Sequence, residues 1–161
     1  MEFLIRKIAF DSEVIELVSG PRYLEENPKN QTVTPCYSSW GYRGYSEVWL
    51  EGANDWIYRH LHEASKRMHE MAKEHHDAQG LLRRALNQTA RELLLAEASD
   101  WAFMMKSGTS VEYAAKRTRE HLLAFLRLED EIHRNTIDEP KLRELETKDC
   151  IFPQINFEVY A

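Results

Sequence analysis

Three groups of residues in this chain have the types and spacing to do chemistry, and each would do a different kind. His62, His69 and His76 recur every seven residues, which raises the question of a metal site. In a helix that spacing sets neighbours roughly 10 Å apart along the axis, too far to share one ion. His69-Glu70 is followed by no second histidine at the spacing of a zinc-protease helix, and His75-His76 falls near a helix end, where cations are favoured. A solvated face is the better reading, and neither a metal nor a cofactor is assigned.

Glu97 and Asp100 form the second group, in the stretch LLLAEASDWAFMM. Within so apolar a helix an unpaired charge would cost several kcal/mol, so each needs an arginine, a backbone amide or the hydroxyls of a ligand. For Glu97 the expected partner is an arginine of a neighbouring helix, Arg117 or Arg119. For Asp100, beside Trp101, salt bridge and ligand stay open. Two carboxylates can also hydrolyse a glycoside, but neighbours at i and i+3 on one helix point the same way and cannot flank a bond. No Ser/His/Asp or Cys/His arrangement, phosphate-binding loop or Walker pattern is present.

The third group is the window Thr34 to Tyr58. It holds Tyr37, Trp40, Tyr42, Tyr45, Trp49, Trp56 and Tyr58, interleaved with Gly41, Gly44 and Gly52. Rings belong in cores and glycines in loops, so the mixture reads either as a ligand-facing loop or as an aromatic mini-core stapled to a helical body. Composition leaves the two evenly matched.

The elements that must position these residues are mostly helices. Residues Met1 to Ser19 carry β-leaning runs, FLIRKIAF and EVIELVS, with no start signal. Ser19-Gly20-Pro21 opens a short helix, which stops at Asn27-Pro28 because the residue before proline is driven out of the helical region. Pro28 to Tyr45 reads as loop. Asn54 or Asp55 can cap a first long helix whose Ile57, Leu61, Ala64, Met68 and Met71 form one stripe. A second long helix is expected from about Leu81 to Lys106, closed by Gly108 in the left-handed position. Thr109 and Glu112 make a capping box for a third, with Val111, Ala115, Thr118, Leu122, Phe125 and Ile132 as its stripe. Asp138-Glu139-Pro140 starts a shorter helix, and IFPQINFEVYA is expected to lie extended. The fold class is therefore mainly α: an antiparallel bundle of three long helices plus one or two shorter ones, an aromatic loop, and short extended N- and C-terminal segments, in one domain over residues 1–161.

The totals bound the partners. The chain is 43% hydrophobic and 30% charged with a net charge of -6, which argues against nucleic acid or an anionic membrane as the main partner. Cys36 and Cys150 lack ligand spacing and read as free thiols of a reducing compartment. No signal or membrane-length segment is visible, so a cytoplasmic location is expected, and the two Asn-x-Thr triplets at Asn30 and Asn87 are read as chance.

At SSWGYRGYSEVWLEGANDWIYRHLHEA the sequence resembles the C-terminal helical domain of glycoside hydrolase family 57, in the branch that contains prokaryotic 1,4-α-glucan branching enzymes. LLLAEASDWAFMMKSGTSVEYAAKRTREH is similar to the family's central helix, turn and next helix, and IFPQINFEVYA to its ending. The resemblance spans essentially the whole chain. It implies an N-terminal (β/α)7 barrel that supplies a Glu nucleophile and an Asp acid/base for a retaining reaction. Nothing here corresponds to that barrel, so the chain has no catalytic residue and is expected to be inactive alone, as the C-terminal part of a larger enzyme.

What the resemblance implies for this chain is narrower. Trp40 and Trp49 match tryptophans that stack on glucose rings, and Asp100 is a secondary substrate-binding candidate. Trp56 and Trp101 are expected in the core, and Tyr37, where small residues are usual, could alter the cleft rim. The partners implied are an α-glucan such as amylose or glycogen and the barrel of the same polypeptide, with no nucleic acid or membrane. Two alternatives remain: a stand-alone helical module that binds glucan or protein without catalysis, and, within the family, an α-amylase or 4-α-glucanotransferase.

Overall fold

The opening run FLIRKIAF is helical, not β. In the computed structural model, which describes residues Met1–Ala161, α1 spans Glu2–Asp11. Its β-branched residues favour a strand only where a sheet offers a surface to pack on, and the structure contains no strand. Arg6–Glu2 and Lys7–Asp11 pairs one turn apart support the helix instead. The second helix, α2 (Gly20–Glu26), starts as expected, with the Ser19 hydroxyl accepting from the Arg22 N–H at 3.4 Å, and ends at Asn27 ahead of Pro28. The chain groups into two compact units, Met1–Tyr37 and Ser38–Ala161.

The second unit carries the bundle. After the aromatic loop, a 3-10 turn at Asp55–Ile57 leads into α3 (Tyr58–Glu74), and Leu61, Ala64, Met68 and Met71 are buried along it as their spacing predicts. Then follow α4 (Gly80–Ala96), α5 (Ser99–Ser107), α6 (Val111–His133) and α7 (Glu139–Lys148). Residues 75–79 are a short connection, which makes α3 and α4 antiparallel neighbours. The most extensive packing is of α4 on α6. Phe125, Met68, Met71, Leu86, Leu93 and Leu128 are fully buried in one core. Arg67 reaches Glu129 at 3.1 Å to tie α3 to α6, and Arg84 reaches Glu139 and Glu146, both at 2.8 Å, to tie α4 to α7.

Several local expectations are corrected. The long second helix is two helices, because Ala98 turns extended (φ -55°, ψ 122°). The break is stabilised by the Trp101 indole, whose N–H donates to the Leu95 carbonyl at 2.7 Å and so satisfies one of the carbonyls left open at a helix end. Gly108 is left-handed (φ 78°) as expected, but the Thr109–Glu112 capping box does not form. The residue that precedes α6 is Ser110, itself left-handed (φ 57°), and a capping side chain reaches back only from extended backbone. The buried face of α6 includes His121 and Leu128, while Val111 is exposed. The C-terminal stretch is not extended: it closes in a 3-10 turn at Phe157–Tyr160, with Phe157 fully buried.

Candidate functional site

The aromatic loop is built backwards from Asn54. This residue does not cap α3 with its side chain. It is fully buried, its carboxamide oxygen accepts from the Glu51 N–H at 2.9 Å, and its NH2 donates to the carbonyls of Val48 and Ala102 at 2.9 and 3.0 Å. One amide thus fixes the loop end to α5. A second brace comes from Tyr58, whose hydroxyl donates to the Trp49 carbonyl. Further along, Ser39 joins the two sides of the loop: its N–H donates to the Gly44 carbonyl, and its hydroxyl accepts from the Ser46 N–H, both at 2.6 Å. Gly41 and Gly44 hold φ of +89° and +86°, conformations that most side chains resist.

The loop so fixed presents rings to α5. Trp40 and Trp49 lie with centroids 5.9 Å apart and planes tilted by 47°. Phe103 stands 5.9 Å from Trp40 and 6.2 Å from Trp49, at tilts of 50° and 38°. The Trp49 indole N–H is spent within the loop, donating to the Trp40 carbonyl at 3.0 Å, so Trp49 offers its face and not its donor. Trp40 is 69% exposed. Together with Ser99 and Asp100 the three rings line a hollow of about 340 Å³, at the small end of ligand clefts. Asp100 sits in the first turn of α5, where the helix dipole favours its negative charge.

The three residues singled out from sequence therefore converge. Phe103 was missed, though it follows Asp100 by one turn on the same helix and so shares its face. Chemically the hollow offers flat apolar surfaces and one carboxylate. This suits a polyhydroxylated ligand whose C–H faces stack on rings while a hydroxyl donates to Asp100.

The premise that Glu97 and Asp100 are buried on one helix does not hold. Both are exposed, and the break at Ala98 puts Glu97 at the end of α4 and Asp100 at the start of α5. Neither expected arginine pairs with Glu97. Arg117 reaches Glu120 and Asp149, while Arg119 lies over the Trp56 ring at 4.9 Å. The packed surroundings of Glu97 still push its carboxyl above the usual range, opposed by His62. Trp56 and Trp101 pack against the core, each half-buried. With Arg119 over its face, Trp56 is no open platform, although it lines a groove of about 460 Å³ between α3 and α6. A larger hollow of about 640 Å³ along α7 has only side chains such as Glu139, Arg143 and Lys148 around it and no ring.

His62, His69 and His76 are exposed. His69 Nδ1 lies 2.6 Å from the Tyr160 carbonyl, and His76 pairs with Asp77. Sequence reading missed a different histidine. His121 is buried with Glu92 and Asp149, their ligand-capable atoms within 4.8 Å of one another. His121 Nδ1 lies 2.7 Å from Glu92, and Gln88 donates to the same carboxylate at 2.7 Å. Arg117 stands 2.9 Å from His121 Nε2 and 3.4 Å from Asp149. Since Arg117 can only donate, His121 accepts at Nε2 and carries its proton at Nδ1. The guanidinium thus supplies the positive charge that a metal would bring. This buried network joins α4, α6 and the residue after α7.

Comparison with known proteins gives a consistent answer. Residues 60–160 match the family model described as 1,4-alpha-glucan branching enzyme, C-terminal. The chain is 33% identical over 144 residues to 1,4-alpha-glucan branching enzyme TK1436 of Thermococcus kodakarensis, covering 86% of this chain and 21% of that protein. Among solved structures, the α-amylase AmyC of Thermotoga maritima matches 99% of this chain and 30% of its own at 42% identity, with a TM-score of 0.69. The GH57-type branching enzyme of Pyrococcus horikoshii matches 92% of this chain and 29% of its own at 35% identity, with a TM-score of 0.75. The chain thus spans about a fifth of the curated relative and under a third of the solved ones.

Proposed function

The chain belongs to the family of C-terminal domains of 1,4-α-glucan branching enzymes, and from that premise we propose that it forms one wall of a glucan-binding cleft. The other wall, with the Glu nucleophile and Asp acid/base, is contributed by a catalytic barrel in a larger polypeptide. That polypeptide cleaves an α-1,4 link and transfers the chain to a 6-hydroxyl. The observation that carries this reading is the convergence of Trp40, Trp49, Phe103 and Asp100 on one hollow. Stacked rings hold an uncharged polymer by its apolar faces, and Asp100 orients it by a hydroxyl. No group in this chain attacks or protonates the glycosidic bond, so its contribution is binding and orientation.

The test is branch formation by the larger polypeptide, read from the chain-length profile of the glucan after debranching. Trp40→Ala and Trp49→Ala are each expected to lower transfer about tenfold, equivalent to ~1.4 kcal/mol of lost binding, with unfolding unchanged in Trp40→Ala and some stability lost in Trp49→Ala, whose ring also packs on the core and holds the Trp40 carbonyl. Wild-type transfer in both variants overturns the reading. A second reading is favoured by one observation, the 42% identity to an α-amylase: the same wall would serve a hydrolytic barrel. Reducing ends released without new branches would select it.

A further inference from the structure

The groove between α3 and α6 shares no residue with the hollow of Trp40. Trp56, His60 and Glu63 line one side of it, and Arg119, Leu123 and Leu126 the other. Ala64 and Leu122 also line it and are themselves buried. The space is about 460 Å³, within the range of clefts that enclose small ligands. Leu123 is 65% exposed and Leu126 42%, so the groove keeps two large apolar side chains, one turn apart on α6, in contact with water.

Its two arginines differ. Arg67 is held by Glu63 at 2.9 Å and by Glu129 at 3.1 Å, so that cation is spent. Arg119 forms no ion pair. Its guanidinium lies over the Trp56 ring at 4.9 Å, a cation–π contact that uses a face of the group and leaves the N–H donors at its edge. The Trp56 ring is braced in turn by His60, edge-on at 6.4 Å. An arginine oriented in this way can meet a carboxylate or phosphate with two parallel N–H···O bonds. We propose that the α3–α6 groove binds a free amphiphile, with its single anionic head group on Arg119 and a short apolar tail along Leu122, Leu123 and Leu126. Charge complementarity selects the head, and the leucines select the tail. A glucan fits less well, because Arg119 takes a ring face on which a sugar would stack. An anionic bilayer fits less well too, since the chain as a whole carries a net charge of -6.

The test is calorimetric titration of the full chain with octanoate and with octyl phosphate, each below its micelle threshold. One-to-one binding with a Kd of about 0.1 mM is expected, with the Arg119 Nε–H and the Leu123 and Leu126 methyl resonances shifting in step with occupancy. 1-Octanol offers the tail without the charge and acetate the head without the tail, and each should bind at least about tenfold more weakly. Arg119 is exposed, so Arg119→Gln removes no buried side chain. It should weaken octanoate about tenfold or more and leave octanol unaltered, whereas Leu126→Ser should weaken both. Undiminished octanoate binding by Arg119→Gln, equal affinity for octylamine, or resonance shifts confined to other parts of the chain overturns the proposal. So does binding to phosphatidylglycerol vesicles without binding of free octanoate. The octanol and octylamine comparisons use the wild-type chain and decide the matter without any variant. None of these readouts involves glucan, so their failure leaves the proposed function standing.

Discussion

Gly41, the residue after Trp40 in the aromatic loop, leaves no room for a side chain beside Val48. A Cβ built on Gly41 would stand 2.8 Å from Val48 Cγ2, and the backbone there has φ +89°. Val48 is buried and has little room to yield. Gly41→Ala is expected to destabilise the fold by about 1–3 kcal/mol and to raise the solvent exposure of Trp40 fluorescence. An unchanged urea midpoint with an unchanged emission maximum would refute it. At the same scale, Glu92 is 0% exposed and depends on His121 and Gln88. His121→Ala leaves that carboxylate without its imidazole and opens a void beside Arg117. The expected loss is about 2–4 kcal/mol, the cost of removing a hydrogen bond to a buried carboxylate together with the void left behind. Glu92→Gln with His121 retained should lose clearly less, since the carboxamide keeps an acceptor for the imidazole N–H, and chemical unfolding of the two variants makes the comparison.

At the scale of elements, the C-terminal 3-10 turn is clamped between α3 and α4. The Phe157 N–H donates to Asn87 at 3.0 Å, Arg83 pairs with Glu158 at 2.8 Å, and Arg83 also lies over the Phe157 ring. Burial, reinforced by the charge of Glu97, pushes the Tyr160 phenol up to about 12, from its ordinary value near 10. Folded protein therefore holds this proton more tightly than unfolded protein. The stability it contributes is complete below about pH 10 and is lost as pH rises towards 12. Tyr58 is raised by burial in the same direction. The urea midpoint should fall across that window, and Tyr160→Phe should flatten the fall, leaving the shares of Tyr58 and of Lys141, which its pairing with Asp138 holds above the ordinary lysine value. A variant with the wild-type slope would remove Tyr160 from the account.

Sequence made the helices themselves legible, because a stripe such as Leu61, Ala64, Met68 and Met71 is a local pattern that needs only periodicity. The convergence of Trp40, Trp49 and Asp100 followed from a family resemblance and from no feature of spacing. Other features depend on groups distant in the chain and left no local trace. The break between α4 and α5 relies on the Trp101 indole finding Leu95. Asn54 reads as a helix cap until Ala102 comes within its reach. His121 stood unnoticed among seven histidines because Glu92 and Asp149 approach it only after α4, α6 and α7 have packed.

Taken as a whole molecule, the chain divides its apolar residues between two purposes. The second unit buries its own: every residue of the core cluster lies between Ile57 and Phe157. The first unit displays them. A net charge of -6 and a hollow of rings with a single carboxylate suit an uncharged ligand better than a phosphate polymer. No helix is long and apolar enough to cross a membrane. If the bundle's stability resides in that cluster, residues 38–161 produced alone should unfold within about 1 kcal/mol of the full chain, the range of changes away from a core. Their thermal transition should also be the sharper of the two, because the exposed Phe3, Phe10 and Val14 no longer promote association. A loss of several kcal/mol on removing Met1–Tyr37 would instead place part of the folding energy in that first unit.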